Sequence, residues 1–122
     1  MTVFTTAQAV LDAYAEGTRL LDRDGLAACF HPAAIMAGSL DGQILAGGPE
    51  PFLADVMAMK AAGIDHGAIE LTVDPVEQVG PTATGRVRTR GFGGRFDFDD
   101  RFHLLRDAQG YWTITAKLFA TV

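Results

Sequence analysis

A single cysteine, Cys29, stands in a chain of 122 residues, so no internal disulfide can form. That suits a reducing compartment. Within Ala27-Ala28-Cys29-Phe30 it has no activating neighbour and reads as a small core residue rather than a nucleophile. No apolar run approaches the roughly 20 residues needed to cross a bilayer. The start, Met1 to Ala9, also lacks the charged stretch followed by an apolar one that marks a leader. The expectation is therefore a cytoplasmic protein with no membrane partner. Basic residues are scarce: 10 Lys and Arg stand against 15 Asp and Glu, a formal net charge of −5. Arg86, Arg88 and Arg90 are the one local exception. Without grouped cations and interleaved aromatics, no nucleic-acid partner is expected.

Other signatures are missing too. There is no repeat, linker or low-complexity stretch, no Cys-His cluster, no phosphate-binding glycine fingerprint and no nucleophile elbow. Gly91-Phe92-Gly93-Gly94 could pass for a phosphate loop, but it lies between strands with no helix after it. Asp99 and His103 share a strand face, yet four residues along a strand is roughly 13 Å, too far to chelate one ion. His66, in the loop from Gly63 to Gly67, and His103 read as surface residues. Neither a metal nor a cofactor is expected.

What the chain does have is apolar content, 48% of its residues. That is enough for one domain, residues 1–122, burying roughly two thirds of the surface its unfolded chain exposes. A first helix is expected from a cap at Thr5, with Gln8 reaching back. Its stripe is Val10, Leu11, Tyr14, Thr18 and Leu21, with Gly17 allowing close approach. A short second helix over Leu26 to Phe30 should stop at His31-Pro32. Ala33 to Leu40 and Gln43 to Leu45 flank Asp41-Gly42, a two-residue hairpin signal. A third helix starts around Pro49 to Pro51, turns Phe52, Leu53, Val56 and Met59 inward, and ends near Gly63. Strands follow: Ile69 to Val73, Thr82 to Arg90, Arg95 to Arg106 and Tyr111 to Ala120. Helices first and an antiparallel meander last is an α+β order, with the helices on one face of a curved sheet.

One residue breaks this pattern. Phe96, Phe98, Asp100, Phe102 and Leu104 alternate along a strand and share its inner face, so Asp100 places a carboxylate among large apolar side chains. Such a group must find a partner, face a wet cavity or keep its proton. Pairing Arg90 with Arg95 across the glycine loop sets Arg88 against Asp97 and Arg86 against Asp99 on the outer face. Each such pair is worth about 0.2–1 kcal/mol, so these arginines serve the sheet rather than a phosphate. The same register sets Gly85 opposite Asp100, leaving space beside the carboxylate. In the last strand, Trp112, Ile114, Ala116 and Leu118 would share the inner face. A register slipped by one residue would instead turn Lys117 inward, toward Asp100. The first version is preferred because it buries Trp112.

Three segments carry a family likeness: Val10-Leu11-Asp12-Ala13-Tyr14-Ala15-Glu16-Gly17, then Cys29-Phe30-His31-Pro32-Ala33-Ala34, and Asp100 through Leu105 with Gly110-Tyr111-Trp112-Thr113-Ile114 and Lys117. With them the chain resembles the nuclear transport factor 2-like superfamily, the cone-shaped α+β fold of ketosteroid isomerase, scytalone dehydratase and the polyketide cyclases. It is most similar to a small bacterial branch whose label refers to lumazine binding. The resemblance implies a cavity between the helices and the concave sheet, with Asp100 and Tyr14 among its residues. It also implies homodimers formed through the outer faces of the sheets. Ketosteroid isomerase needs a carboxylate on its first strand, whereas Ala33 to Leu40 holds none before Asp41. The histidines and tyrosines of the scytalone dehydratase pocket make His31 a further candidate, although a turn residue before Pro32 is its plainer reading.

The functional expectation is binding of a small, mostly apolar organic molecule in the cone. Asp100 and Tyr14 would orient it, and Leu53, Met57, Phe98, Phe102 and Trp112 would line its site. Two alternatives stand beside it. One is a lyase or isomerase of the polyketide cyclase or dehydratase type, with Asp100 as acid or base and Tyr14 and His31 assisting. The other is a non-catalytic interaction module. For the homodimer, the expected outer row is Arg86, Arg88, Asp97, Asp99, Arg101 and His103 with Thr113, Thr115 and Lys117, anchored by Phe119 and Tyr111.

Overall fold

The computed structural model describes residues 2–122. Helix α1 (Ala7–Leu20) is capped by Thr6, whose hydroxyl accepts from the Ala9 backbone N–H, one residue later than the expected cap. Gln8 is engaged elsewhere, accepting from the Val76 N–H. The expected stripe holds, with Val10, Leu11, Tyr14, Thr18 and Leu21 all buried. At Gly17 a Cβ would lie 2.9 Å from Leu26 Cγ, so glycine lets the second helix pack directly against the first. That second helix, α2 (Arg23–Ala27), is capped by Asp22 and lies earlier than the run from Leu26 to Phe30. The Asp22 carboxylate accepting from the Gly25 N–H starts a helical turn where the apolar pattern alone suggests a break.

Phe30 instead opens strand β1 (Phe30–Leu40), which turns through Asp41-Gly42 into β2 (Gln43–Gly47). Both turn residues have positive φ, +48° and +85°, the geometry that asparagine, aspartate and glycine tolerate in a two-residue hairpin. Helix α3 (Glu50–Ala61) follows. Then come β3 (Glu70–Val73), a short β4 (Glu77–Val79), β5 (Thr82–Phe92), β6 (Phe96–Arg106) and β7 (Trp112–Thr121). The strands form one curved sheet in the order β2-β1-β7-β6-β5-β3, with β4 also on β5. All pairs are antiparallel except β1 with β7. The helices cover its concave face, and the core between them holds Trp112, Phe102, Tyr14, Leu11, Leu26 and Ile114.

Two registers differ from expectation. β5 and β6 pair two residues further along: Arg90 faces Asp97, Arg88 faces Asp99, Val87 faces Asp100, and Gly85 faces Phe102. A bulge between Arg90 and Phe92, with left-handed Gly91, Gly93 and Gly94, lets the loop close at Phe92 and Phe96 instead. A shift of two preserves the faces, so Asp100 still points inward, but Gly85 leaves room for Leu11 rather than for the carboxylate. On the outer face Arg86 pairs with Asp99 diagonally, and Arg88 reaches Asp74 at 2.6 Å.

The second difference matters more. β7 pairs with β6 as Leu104 with Ile114 but His103 with Ala116, leaving Thr115 as an extra residue. This β-bulge reverses the alternation. Trp112 and Ile114 face inward before it, and Lys117 and Phe119 face inward after it, while Leu118 is 54% exposed. The two alternatives for this strand are thus both realised, one on each side of Thr115, and Ala116 and Leu118 are not inner-face residues.

Cys29 is buried, its thiol against the Gly25 and Val10 carbonyls. Burial pushes its pKa up to about 12. A thiol reagent at neutral pH should therefore leave the folded protein unmodified and label it only on unfolding; rapid labelling of the native chain would contradict that placement.

Candidate functional site

Asp100 sits near the middle of β6, between Val87 on β5 and Phe119 on β7. Only 2% of its surface is exposed. Lys117, two residues before Phe119, is its diagonal neighbour on the same face. The ammonium lies 3.6 Å from Asp100 Oδ2 and is itself buried. Tyr14 reaches across from α1 to donate its hydroxyl to the same oxygen at 3.3 Å. Among the described residues Asp100 Oδ1 has no hydrogen-bond partner.

The surroundings of this group are aromatic. Lys117 Nζ is 4.1 Å from the Phe52 ring centroid and 5.0 Å from that of Tyr14, within cation–π range of both. Tyr14 is held in turn by an edge contact with Phe102 at 4.9 Å. A second line of bonds ties this part of α1 to the β5–β6 loop. The Gly93 N–H donates to His66 Nδ1 at 2.7 Å, so the proton sits on Nε2, which faces the Thr18 carbonyl at 3.2 Å. His66 is therefore a buried brace, not the surface residue expected; it stands in a short loop beside Asp65 and Gly67, but the β5–β6 glycine loop bonds to it.

Burial dominates the electrostatics. It raises the pKa of Asp100 and lowers that of Lys117, and their mutual attraction opposes both shifts. Burial and the adjacent carboxylate raise Tyr14 well above the usual phenol range, so it stays a neutral donor.

This polar group closes the inner end of a cavity of about 490 Å³. Met36, Phe52, Met59, Thr89, Phe92, Phe96, Phe98 and Phe119 form its walls. Leu45, Ala46 and Gly47 of β2 and Pro51, Asp55 and Ala58 of α3 form an exposed rim. Volume and apolar lining both match an ordinary small-molecule site. Among the described residues no group of three or more acidic, histidine or cysteine side chains is placed to hold a metal ion.

Of the residues singled out from sequence, Asp100, Tyr14 and Phe98 come together on this cavity. Leu53, Phe102 and Trp112 are packed into the core behind it and do not line it. Met57 points away on α3 and is 54% exposed. The positions of that helix that line the cavity are Pro51, Phe52, Asp55, Ala58 and Met59, to one side of Leu53 and Met57. His31 lies outside the cavity, its Nδ1 accepting from the Ala33 N–H at 3.0 Å, the local turn contact of its plainer reading. Lys117 and Phe119 were missed as lining residues. Their signal was the conflict in β7 between an inward Trp112 and an inward Phe119, which only a bulge resolves.

A cone of helices over a curved sheet, closed around an apolar pocket, places the protein in the nuclear transport factor 2-like superfamily. Within it, the chain belongs to the family described as "Putative lumazine-binding", whose profile matches residues 2–120. Among solved structures it is similar to a nuclear transport factor 2-like protein of unknown function from Shewanella baltica OS155. The two are 24% identical, with a TM-score of 0.80 over 93% of this chain and 89% of the other. A similar protein from Methylobacillus flagellatus KT shares 26% identity, with a TM-score of 0.77 over 93% and 87%. A ketosteroid isomerase-like protein from Erwinia carotovora atroseptica SCRI1043 is 17% identical, with a TM-score of 0.72 over 94% and 92%. No curated protein matches the chain.

Proposed function

We propose that the protein binds a small, mostly apolar organic molecule in the cone, with its polar end against Asp100, Lys117 and Tyr14. The observation that carries this reading is Asp100, a carboxylate lining a mostly apolar cavity, whose buried Oδ1 has no hydrogen-bond partner among the described residues. Leaving a buried acceptor unsatisfied costs about 1–3 kcal/mol, a cost that a ligand N–H or O–H removes. Lysine beside it supplies a donor for a ligand carbonyl. The family description names lumazine, a flat bicyclic ring with N–H and carbonyl groups on one edge, and compounds of that shape belong in the first panel.

A thermal-shift panel of neutral aromatic and heteroaromatic compounds should find members that raise the melting temperature with saturation. Ala58→Trp, which narrows the exposed rim without touching the core, should abolish the shift while leaving the unliganded melting temperature nearly unchanged. If the rim variant responds as the wild type does, the binding site is elsewhere.

An isomerase or lyase reading is supported by the place of Asp100 on the cavity, where burial raises its pKa above the ordinary carboxylate range and so makes it a better proton acceptor. Under that reading Asp100→Asn keeps ligand binding but loses turnover. An interaction module without a ligand is less well supported, because such a module has no use for an open cavity ending in a buried ion pair.

We also infer a homodimer through the outer face of the sheet. Phe119 cannot anchor it, since it lines the cavity, and Lys117 is likewise turned inward. Leu118 and Ile35 are the outward apolar residues on β7 and β1, 54% and 58% exposed, beside Arg101 and His103. Light scattering at low micromolar concentration should give a dimer that persists in high salt and becomes a monomer in Leu118→Asp. A monomeric wild type would rule this out.

A further inference from the structure

In the binding reading Lys117 serves as a charge and a hydrogen-bond donor, yet its setting also suits a reaction. The chain has two lysines, and their environments are opposite. Lys60 is exposed on α3 and donates to the Leu20 carbonyl at 3.1 Å. Lys117 lies on the cavity wall among aromatic faces, and its one anionic contact among the described residues is Asp100 Oδ2. That oxygen also accepts from Tyr14, while Oδ1 has no hydrogen-bond partner among the described residues. Among the described residues Asp55, at the rim, is the one other ionisable group lining the cavity.

Resting on the reading that this cavity takes small organic molecules, we propose that Lys117 condenses with the carbonyl carbon of a bound apolar aldehyde or ketone to form a reversible imine, Asp100 moving the protons. The ammonium first gives a proton to Asp100. The neutral amine then attacks the carbonyl carbon, and the carbonyl π electrons move to oxygen, which takes the proton from Asp100. Nitrogen next loses a proton to the Asp100 carboxylate, leaving a neutral carbinolamine. Asp100 returns that proton to the hydroxyl, which departs as water as the nitrogen lone pair closes the C=N bond. Overall one ammonium and one carbonyl compound become one iminium and one water, and Asp100 ends as the carboxylate it began as. The iminium keeps its positive charge beside that carboxylate, so the ion pair survives the reaction.

The electrostatics favour the first step. Burial holds Lys117 below the ordinary lysine range and Asp100 above the ordinary carboxylate range, which brings their proton affinities together. Each unit by which an amine's pKa falls leaves about ten times more of it neutral and nucleophilic at a given pH below that value.

The test treats the full chain with 2-naphthaldehyde and sodium cyanoborohydride near neutral pH and maps the reduced adduct by peptide mass. Adduct should accumulate on Lys117 at least about tenfold faster than on Lys60. It should also persist toward lower pH than is usual for a lysine. Lys117→Arg, with folding checked by its thermal transition, should abolish the cavity adduct and leave the Lys60 background. A parallel thermal-shift titration uses 2-naphthalenemethanol, which has the same ring system but no carbonyl. If the alcohol binds and the aldehyde marks both lysines equally or neither, the imine is overturned and the binding reading stands. If the alcohol fails to bind and Lys117 is unmarked, both fall.

Discussion

Replacing Lys117 by methionine should destabilise the fold by about 3–5 kcal/mol, the usual cost of removing one partner from a buried ion pair. The mechanism is not lost packing, since methionine fills a similar volume. It is the carboxylate left behind. Asp100 would be left buried beside Phe119 with only the Tyr14 hydroxyl to hold it, and it would take up a proton to survive. Urea unfolding should show the loss at neutral pH. A companion variant separates this cause from packing: Lys117→Met with Asp100→Leu should recover most of the loss, because replacing both ions with apolar groups of similar size is often neutral. Should the double variant be as unstable as the single one, the ion pair is not what the site depends on.

Phe102→Ala should cost about 3–5 kcal/mol, the range for removing a large aromatic from a packed interior. Phe102 is 1% exposed and packs edge-on against Tyr14. Its loss opens a void behind the tyrosine and lets the Tyr14–Asp100 bond drift, so ligand affinity should fall with stability. By contrast, Phe98→Ala, on the cavity wall, should reduce affinity with a smaller stability cost because that side chain is only partly buried and borders the cavity. Equal stability losses in the two variants would mean that the cavity is not open in solution.

Much of this arrangement is legible in the sequence. The period-two row around Asp100 and the stripe through Tyr14 specify a carboxylate and a phenol that each face inward, because alternation on strands and helical spacing are strictly local rules. What the rules could not supply was the position of the bulges. An extra residue at Thr115 changes no local preference, yet it reverses the facing of everything after it, and so Lys117 moved from the solvent side to the centre of the site. The glycine loop produced a smaller error of the same kind, a shift by two that kept the faces and changed the partners. On α3 the difficulty was different: both Leu53 and Phe52 are apolar, and only the placement of the helix over the sheet decides which one meets the core and which one meets the cavity.

The central claim is that a small apolar molecule enters the cone and ends against Asp100 and Lys117. Calorimetric titration of the wild-type chain with 2-naphthalenemethanol at several temperatures tests it most directly, with Ala58→Trp titrated alongside. The account predicts saturable binding at one site per chain, a negative heat-capacity change from burial of apolar surface, and loss of that heat in the rim variant. Absence of binding in the wild type, or unchanged binding in Ala58→Trp, would contradict it.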